Sequence, residues 1–316
     1  MILVCGEALI DMFVQNKADG GLNIEPVAGG SPYNVAIGLA RLGSKVGFLG
    51  GISTDVFGDM LAGRLKREGV DLGRTLRLPN PSTLVIVSVD DSGVPAYRFI
   101  GEGAADRALT LADLPVALPA SVKALQFGSL SMGVEPAGST FLALAEREKG
   151  KRVISVDPNL RASVVGDIAR WRLRLERFIA SANIVKSSIE DIEGTYGQGA
   201  KAAEIVAGWL RMGPSLVIVT RGAEGGSAFH ASGHRVEIAA RKVKVIDTVG
   251  AGDTFHAALL NYFEVTDKLS PAGLAGLGKD EIALATAFSA AAAAVTCTRR
   301  GADMPSAADV AAELSR

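Results

Sequence analysis

The residues best suited to chemistry stand together in Asp247-Thr248-Val249-Gly250-Ala251-Gly252-Asp253-Thr254-Phe255. Gly250, Ala251 and Gly252 lie between an apolar, β-like run (Val243, Val245, Ile246) and a helical pattern carrying Phe255, Leu259 and Phe263. Small side chains at such a junction leave backbone N–H groups uncovered. A helix N-terminus adds about half a positive charge, so the turn suits an anion. Asp253 falls in the first helical turn, beside the place an anion would take. A capping role accounts for an aspartate there, but not for the small residues before it. No Lys-Ser or Lys-Thr follows the glycines, so this is not a Walker loop, and it is not the dinucleotide glycine fingerprint either.

Other polar groups recur at the ends of apolar runs. Asp11 closes Gly6-Glu7-Ala8-Leu9-Ile10-Asp11 and, taken alone, reads as a solvated turn residue. Gly29-Gly30-Ser31-Pro32-Tyr33-Asn34-Val35-Ala36 opens a helix, with Ser31 predicted as its N-cap and Pro32 in its first turn. Asn34 offers both a donor and an acceptor, and an apolar stripe of Val35, Leu39 and Leu42 is a poor place for it. Asp157-Pro158-Asn159-Leu160-Arg161 follows the strand pattern at 153–156. Ligands gather at the carboxyl ends of strands in open α/β sheets, which makes Arg161 a cation for substrate or phosphate. A structural Asp-Pro turn with an exposed arginine is the alternative. Ser188 followed by Glu190 and Asp191 also reads equally well as a plain helix cap.

These patterns together resemble the ribokinase-like (PfkB-type) carbohydrate kinases over essentially the whole chain. The family's D-T-x-G-A-G-D form is matched at Asp247–Asp253, and its G-G-x-x-x-N-x-A form at Gly29–Ala36. The resemblance implies that Asp253 is the general base on the acceptor hydroxyl and that Gly250, Ala251 and Gly252 form the anion hole for the transferred phosphoryl group. It implies a monovalent-cation or phosphate region at Asp247, and sugar contacts from Asp11, Gly30 and Asn34. Arg161 matches the family's D-x-N-x-R segment. Where the family carries N-x-x-E, associated with magnesium and phosphate, this chain has Lys186-Ser187-Ser188-Ile189-Glu190-Asp191. Ser188 takes the asparagine position, with Asp191 or, after a one-residue slip, Glu190 at the acidic one. Lys186, Ser188, Thr220, Gly222, Gly225 and Ala290 are the implied nucleotide contacts. Arg299-Arg300-Gly301-Ala302 would border the cation site. ATP and Mg2+ are the implied cofactors, with K+ a further candidate.

The acceptor is less determined. Gly6–Asp11, Tyr97-Arg98-Phe99 and Gly103–Asp106 look most like the family's bacterial fructose-phosphorylating members, which makes Tyr97 and Arg98 candidate sugar contacts. A kinase of 2-keto-3-deoxygluconate, whose carboxylate Arg98 and Arg161 could hold, is the alternative, with ribose and nucleosides behind it. A sugar-sensing protein that lost catalysis would be expected to lose Asp253 or the glycines, and both are intact. An oxidoreductase would need the early glycine fingerprint, which is missing. Asp253 also carries a tension: a carboxylate at a helix N-terminus should have a depressed pKa and be a weak base. In a loose phosphoryl transfer, positioning and charge neutralisation carry most of the effect.

The elements that must hold these residues follow from periodicity. From about residue 120 onward, strand patterns (124–127, 153–156, 184–185, 216–219) alternate with helical ones near 145, 171–179, 190 and 201–211. That alternation predicts an α/β fold with a mainly parallel sheet and helices on both faces. Thr83–Val89, a turn at Asp90-Asp91-Ser92-Gly93, and Tyr97–Ile100 read instead as an antiparallel hairpin. We expect a single domain over residues 1–316, with a small β-sheet lid from about 11–28 and 76–106. Its exposed strand edges could be covered by a second copy, giving a homodimer.

Composition bounds the rest. A formal charge of −1 leaves no basic excess for nucleic acid. Cys5 and Cys297 read as free, buried thiols rather than a disulfide framework. His230, His234 and His256 lack metal-like spacing, and only His256 falls near the anion site, at the surface or behind it. The N-terminus carries no signal-peptide pattern. The apolar run from Ile282 to Val295 is too short and too alanine-rich for a membrane span, so a cytoplasmic enzyme is expected.

Overall fold

A computed structural model of the chain describes residues 1–17, 20–89 and 95–315. The expected turn at Asp90–Gly93 lies outside the described residues, as do Ala18 and Asp19. In chain order the strands are β1 (Ile2–Cys5), β2 (Leu9–Asn16), β3 (Leu22–Gly29), β4 (Val46–Leu49), β5 (Gly51–Ser53), β6 (Leu76–Leu78) and β7 (Leu84–Val89). They continue as β8 (Pro95–Ile100), β9 (Ala124–Gly128), β10 (Val153–Asp157), β11 (Ile184–Ser188), β12 (Leu216–Thr220), β13 (Gly226–His230) and β14 (Arg235–Ile238).

Among the described residues the main sheet has eight strands in the order β14-β13-β12-β11-β10-β9-β1-β4. β4 through β12 are parallel, and β13 and β14 add an antiparallel edge. Strands buried on both faces can be apolar throughout, as in Ile2-Leu3-Val4-Cys5. Alternation then divides them. Ile2 and Val4 join one core with the helices Ser31–Arg41 and Ala251–Val265, while Leu3 and Cys5 join another with Ala137–Glu148 and Ile168–Ser181. The expected mainly parallel sheet, covered on both faces, is what forms.

After β1 the chain leaves the main sheet, and β2, beginning three residues past Gly6, enters a second sheet ordered β3-β2-β7-β8. Its hairpins β2–β3 and β7–β8 are antiparallel, but β2 and β7 run parallel. Its strands run over 9–29 and 84–100, against the expected 11–28 and 76–106, and β6 pairs with β5 instead.

Three local expectations differ from what forms. The first helix is capped by Gly30, at φ 108°, so Ser31 is its first residue and is released for another partner. Val243–Ile246 is no strand: Val245 and Ile246 are exposed and belong to a loop whose amides at 246 and 247 reach the Cys297 carbonyl. The alanine-rich run is part of a longer helix, Lys279–Cys297, whose length and composition would suit a membrane. It is a core helix here, packed on helices Ala251–Val265 and Ala307–Leu314.

Candidate active site

Three chain segments meet at Asp253. Gly250 adopts the left-handed conformation (φ 79°) that ends the loop and starts the helix Ala251–Val265. A Cβ there would lie 2.8 Å from that of Ala302, so glycine is required twice over. The amides of Gly252 and Asp253 precede the first intrahelical bond, from Thr254 to Gly250, and have no carbonyl one turn back. Asp253 is 6% exposed. Its Oδ1 accepts from the Ser31 hydroxyl at 2.6 Å and its Oδ2 from Asn34 Nδ2 at 2.9 Å. Burial raises the Asp253 carboxyl above its ordinary pKa, and the Ser31 and Asn34 bonds offset part of that. The depression expected from the helix N-terminus is therefore overturned. Desolvation of a buried carboxylate outweighs a half-charge.

Beside it, Lys186 from β11 reaches Asp157 from the end of β10, Nζ to Oδ2 at 2.9 Å, with both side chains buried. Burial opposes the lysine charge, but Asp157 outweighs it and holds the ammonium above its ordinary pKa. A Cβ on Gly252 would lie 2.9 Å from Nζ, so the ammonium rests against the glycine turn.

A cavity of about 1180 Å³ extends from this centre in two directions. Toward the second sheet it is lined by Asp11, Phe13, Val85, Val87, Tyr97 and Phe99, with Gly30, Asn34, Asn159 and Arg161. Burial pushes Asp11 up to about 6, against the opposing charge of Arg161. Its Oδ2 sits where a Cβ on Gly29 would be, at 2.4 Å, which explains why that motif position is glycine. In the other direction the walls are Thr220, Gly222, Gly225, Ile238, Val243, Val245, Ala290, Ala293 and Cys297.

The sequence model of the pfkB family carbohydrate kinase matches residues 1–308. The chain belongs to this family. It is 41% identical to a fructokinase of Rhizobium leguminosarum bv. trifolii over 284 residues, covering 90% of this chain and 85% of that one. Among solved structures it is similar to the ATP-bound fructokinase of Xylella fastidiosa (28% identity, TM-score 0.91, 99% and 98% of the two chains). It is also similar to the Vibrio cholerae O395 fructokinase in its fructose-, ADP- and calcium-bound form (26% identity, TM-score 0.83, 99% and 98%). It is thus a sugar phosphotransferase of ribokinase-like fold, with a large mixed sheet and a small separate one.

Within this pfkB-family site the motif residues do not all stand as expected. Arg98 is a correction. Side chains alternate along β8, so Tyr97 and Phe99 line the cavity while Arg98 stands on the opposite face. Asp191 lines the cavity, but its oxygens accept from the Leu160 and Ser188 amides, which makes it a helix cap and loop tie. Glu190 beside it is exposed, lines the cavity and has no hydrogen bond or ion pair among the described residues. Asp247 accepts from the amides of Val249 and Gly301, holding the glycine turn against the 301 loop. Arg299 pairs with Asp303 and Asp309, and Arg300 with Glu25 of β3. Cys5 is buried and Cys297 half-buried, both free.

Other lining residues escaped sequence reasoning. Ser31 was read as a helix cap, and its true partner lies 222 residues away. Glu7 is fully buried against the cavity, its Oε2 accepting from the Ser131 amide, and burial pushes it up to about 7. Ser129 and Asn159, just past β9 and β10, hold positive φ of 61° and 39° without being glycine. Such strain is found where a site over-determines the backbone.

Proposed function

We propose that this pfkB-family kinase transfers the γ-phosphoryl group of ATP to a primary hydroxyl of D-fructose, in the cytoplasm, where ATP is available. The observation that carries the transfer is Asp253. It is a buried carboxylate oriented by two hydrogen-bond donors, at a helix N-terminus where the Gly252 and Asp253 amides have no backbone acceptor. The relatives named as fructokinases support the sugar. The cavity agrees: of the two arginines that could hold a sugar carboxylate, Arg161 lines it and Arg98 does not.

In this reading Asp11, Asn34, Gly30 and Tyr97 receive the sugar, with Arg161 alongside. Thr220, Gly222, Gly225, Ser188 and Ala290 border the nucleotide. Ser31 and Asn34 fix the Asp253 carboxylate so that one oxygen can take the hydroxyl proton. Its raised pKa makes it a better base than an exposed aspartate. The amides at Gly250–Gly252 and the Lys186 ammonium face the phosphoryl oxygens, where charge is spread in a loose transition state.

No group of three or more acidic, histidine or cysteine side chains that could hold a metal occurs among the described residues. Mg2+ fits as an ion carried on ATP phosphates and water, with Glu190 the free carboxylate facing it, and it would neutralise phosphate charge. K+ would take the Asp247 loop, whose carboxylate already bonds two amides. The second sheet acts as a lid over the sugar, excluding water from the transfer. Its outer face carries Leu22, Ile24 and Ile100, each about half exposed, which a second copy would cover. Monomer only in sedimentation velocity at working concentration removes the dimer.

ADP release measured across fructose, ketodeoxygluconate, ribose and adenosine tests the acceptor. Fructose should show the highest kcat/KM, and a clear preference for another acceptor overturns it. Asp253→Asn should abolish turnover while ATP binding persists; near-normal turnover in that variant refutes the assigned role.

A further inference from the structure

Behind the Lys186–Asp157 pair lies a buried polar chain that the transfer chemistry leaves unexplained. His256, one helical turn beyond Asp253, is fully buried. Its Nε2 is 2.6 Å from the Ser155 hydroxyl, and its Nδ1 is 3.8 Å from Asp157 Oδ2, the oxygen that holds Lys186. Ser155 and Asp157 share one face of β10, two residues apart, so helix and strand bring all three together. Nδ1 of His256 and Oδ1 of Asp157 have no hydrogen-bond partner among the described residues.

We infer that His256 is a positioning residue for phosphoryl transfer, its Nδ1–H directed at Asp157 so that Asp157 can release Lys186 toward a phosphoryl oxygen. The inference rests on the kinase reading above. Burial, and then the Lys186 charge, push the imidazole down to about 3, so it is neutral and carries one N–H. The Ser155 hydroxyl has no other hydrogen-bond partner among the described residues. If Nε2 carried the proton, that hydroxyl would lack an acceptor and the Nδ1 lone pair would face a carboxylate. With the proton on Nδ1, Ser155 donates to Nε2 and the N–H faces the anion, which leaves fewer buried donors unpaired.

The 3.8 Å separation is too long for a hydrogen bond while Lys186 holds Asp157 at 2.9 Å. Drawing the ammonium toward an incoming phosphoryl group would leave a buried carboxylate without its closest partner, a costly state. The imidazole N–H is the group placed to close on it. His256 thus shapes the transfer step and not sugar binding.

Side-chain amides separate the two ring contacts, since asparagine nitrogen overlays Nδ1 and glutamine nitrogen overlays Nε2. His256→Asn, His256→Gln and His256→Leu are compared in full-length enzyme, with folding checked by thermal unfolding and the best wild-type sugar as acceptor. We expect His256→Asn to keep kcat within about threefold, and Gln and Leu to lose about tenfold or more, as misplacement of a reacting charge does. KM for the sugar should stay unchanged in all of them. Full activity in Gln with loss in Asn, equal loss in all three, or no loss in any overturns the inference. A wild type that turns over no sugar overturns the kinase reading itself, and this inference with it.

Discussion

Removing the Ser31 hydroxyl should move the acid limb of the rate profile. Ser31 donates to Asp253 Oδ1 at 2.6 Å inside the protein, so the bond stabilises the ionised carboxylate and not the acid. A hydrogen bond to a charged group contributes about 1.5–3 kcal/mol, and one pH unit corresponds to about 1.36 kcal/mol. Ser31→Ala should therefore raise the Asp253 pKa by about one to two units beyond its already raised position. The active form is the anion, which is lost as pH falls through the folded pKa. The acid limb of kcat/KM for the sugar, which reports the free enzyme, should shift to higher pH by the same amount. Stability gives an independent sign. A carboxyl whose folded pKa lies above its unfolded value binds its proton more tightly in the native state. Its contribution to stability is thus fullest below the unfolded pKa and declines as pH rises through the folded one. Ser31→Ala extends that decline, so its loss of stability against wild type should grow with pH. Stopped-assay pH profiles and thermal melts at several pH values measure both. An acid limb that stays in place while kcat falls equally at every pH refutes the reasoning.

The other perturbations test the sugar side. A Cβ at Gly29 would lie 2.4 Å from Asp11 Oδ2, so Gly29→Ala must displace that carboxylate. Losing one charged hydrogen bond to the sugar should raise its KM by about tenfold or more in steady-state assays, with the KM for ATP unchanged. Tyr97→Ala should raise the sugar KM while Arg98→Ala leaves it as in wild type, because adjacent residues of β8 face opposite sides. Equal effects from the two would place the wrong face over the cavity.

Much of this site was readable because its signals are local. The turn at Gly250–Gly252, the glycine pair at Gly29-Gly30 and the buried runs of β1, β10 and β12 each depend on residues within a few positions. What failed needed distant information. Val243–Ile246 reads as a strand by its alternation, yet with the sheet edge already formed by β14 it borders the cavity as a loop. Arg98 looked like a partner for an acidic sugar because, with Arg161, it could supply a cation to the carboxylate, and the pleat turns it away.

The sequence by itself determined that a glycine turn with Asp253 opens a helix after an α/β alternation, and that polar groups end several of its strands. Those are properties of short windows, set by periodicity and backbone sterics. Only the tertiary structure decided the chemistry of Asp253. Ser31 and Asn34, more than two hundred residues earlier, orient its carboxylate, and the surrounding protein removes the water that would have kept its pKa low. Desolvation and charge coupling depend on which segments meet in space, and no local pattern records that.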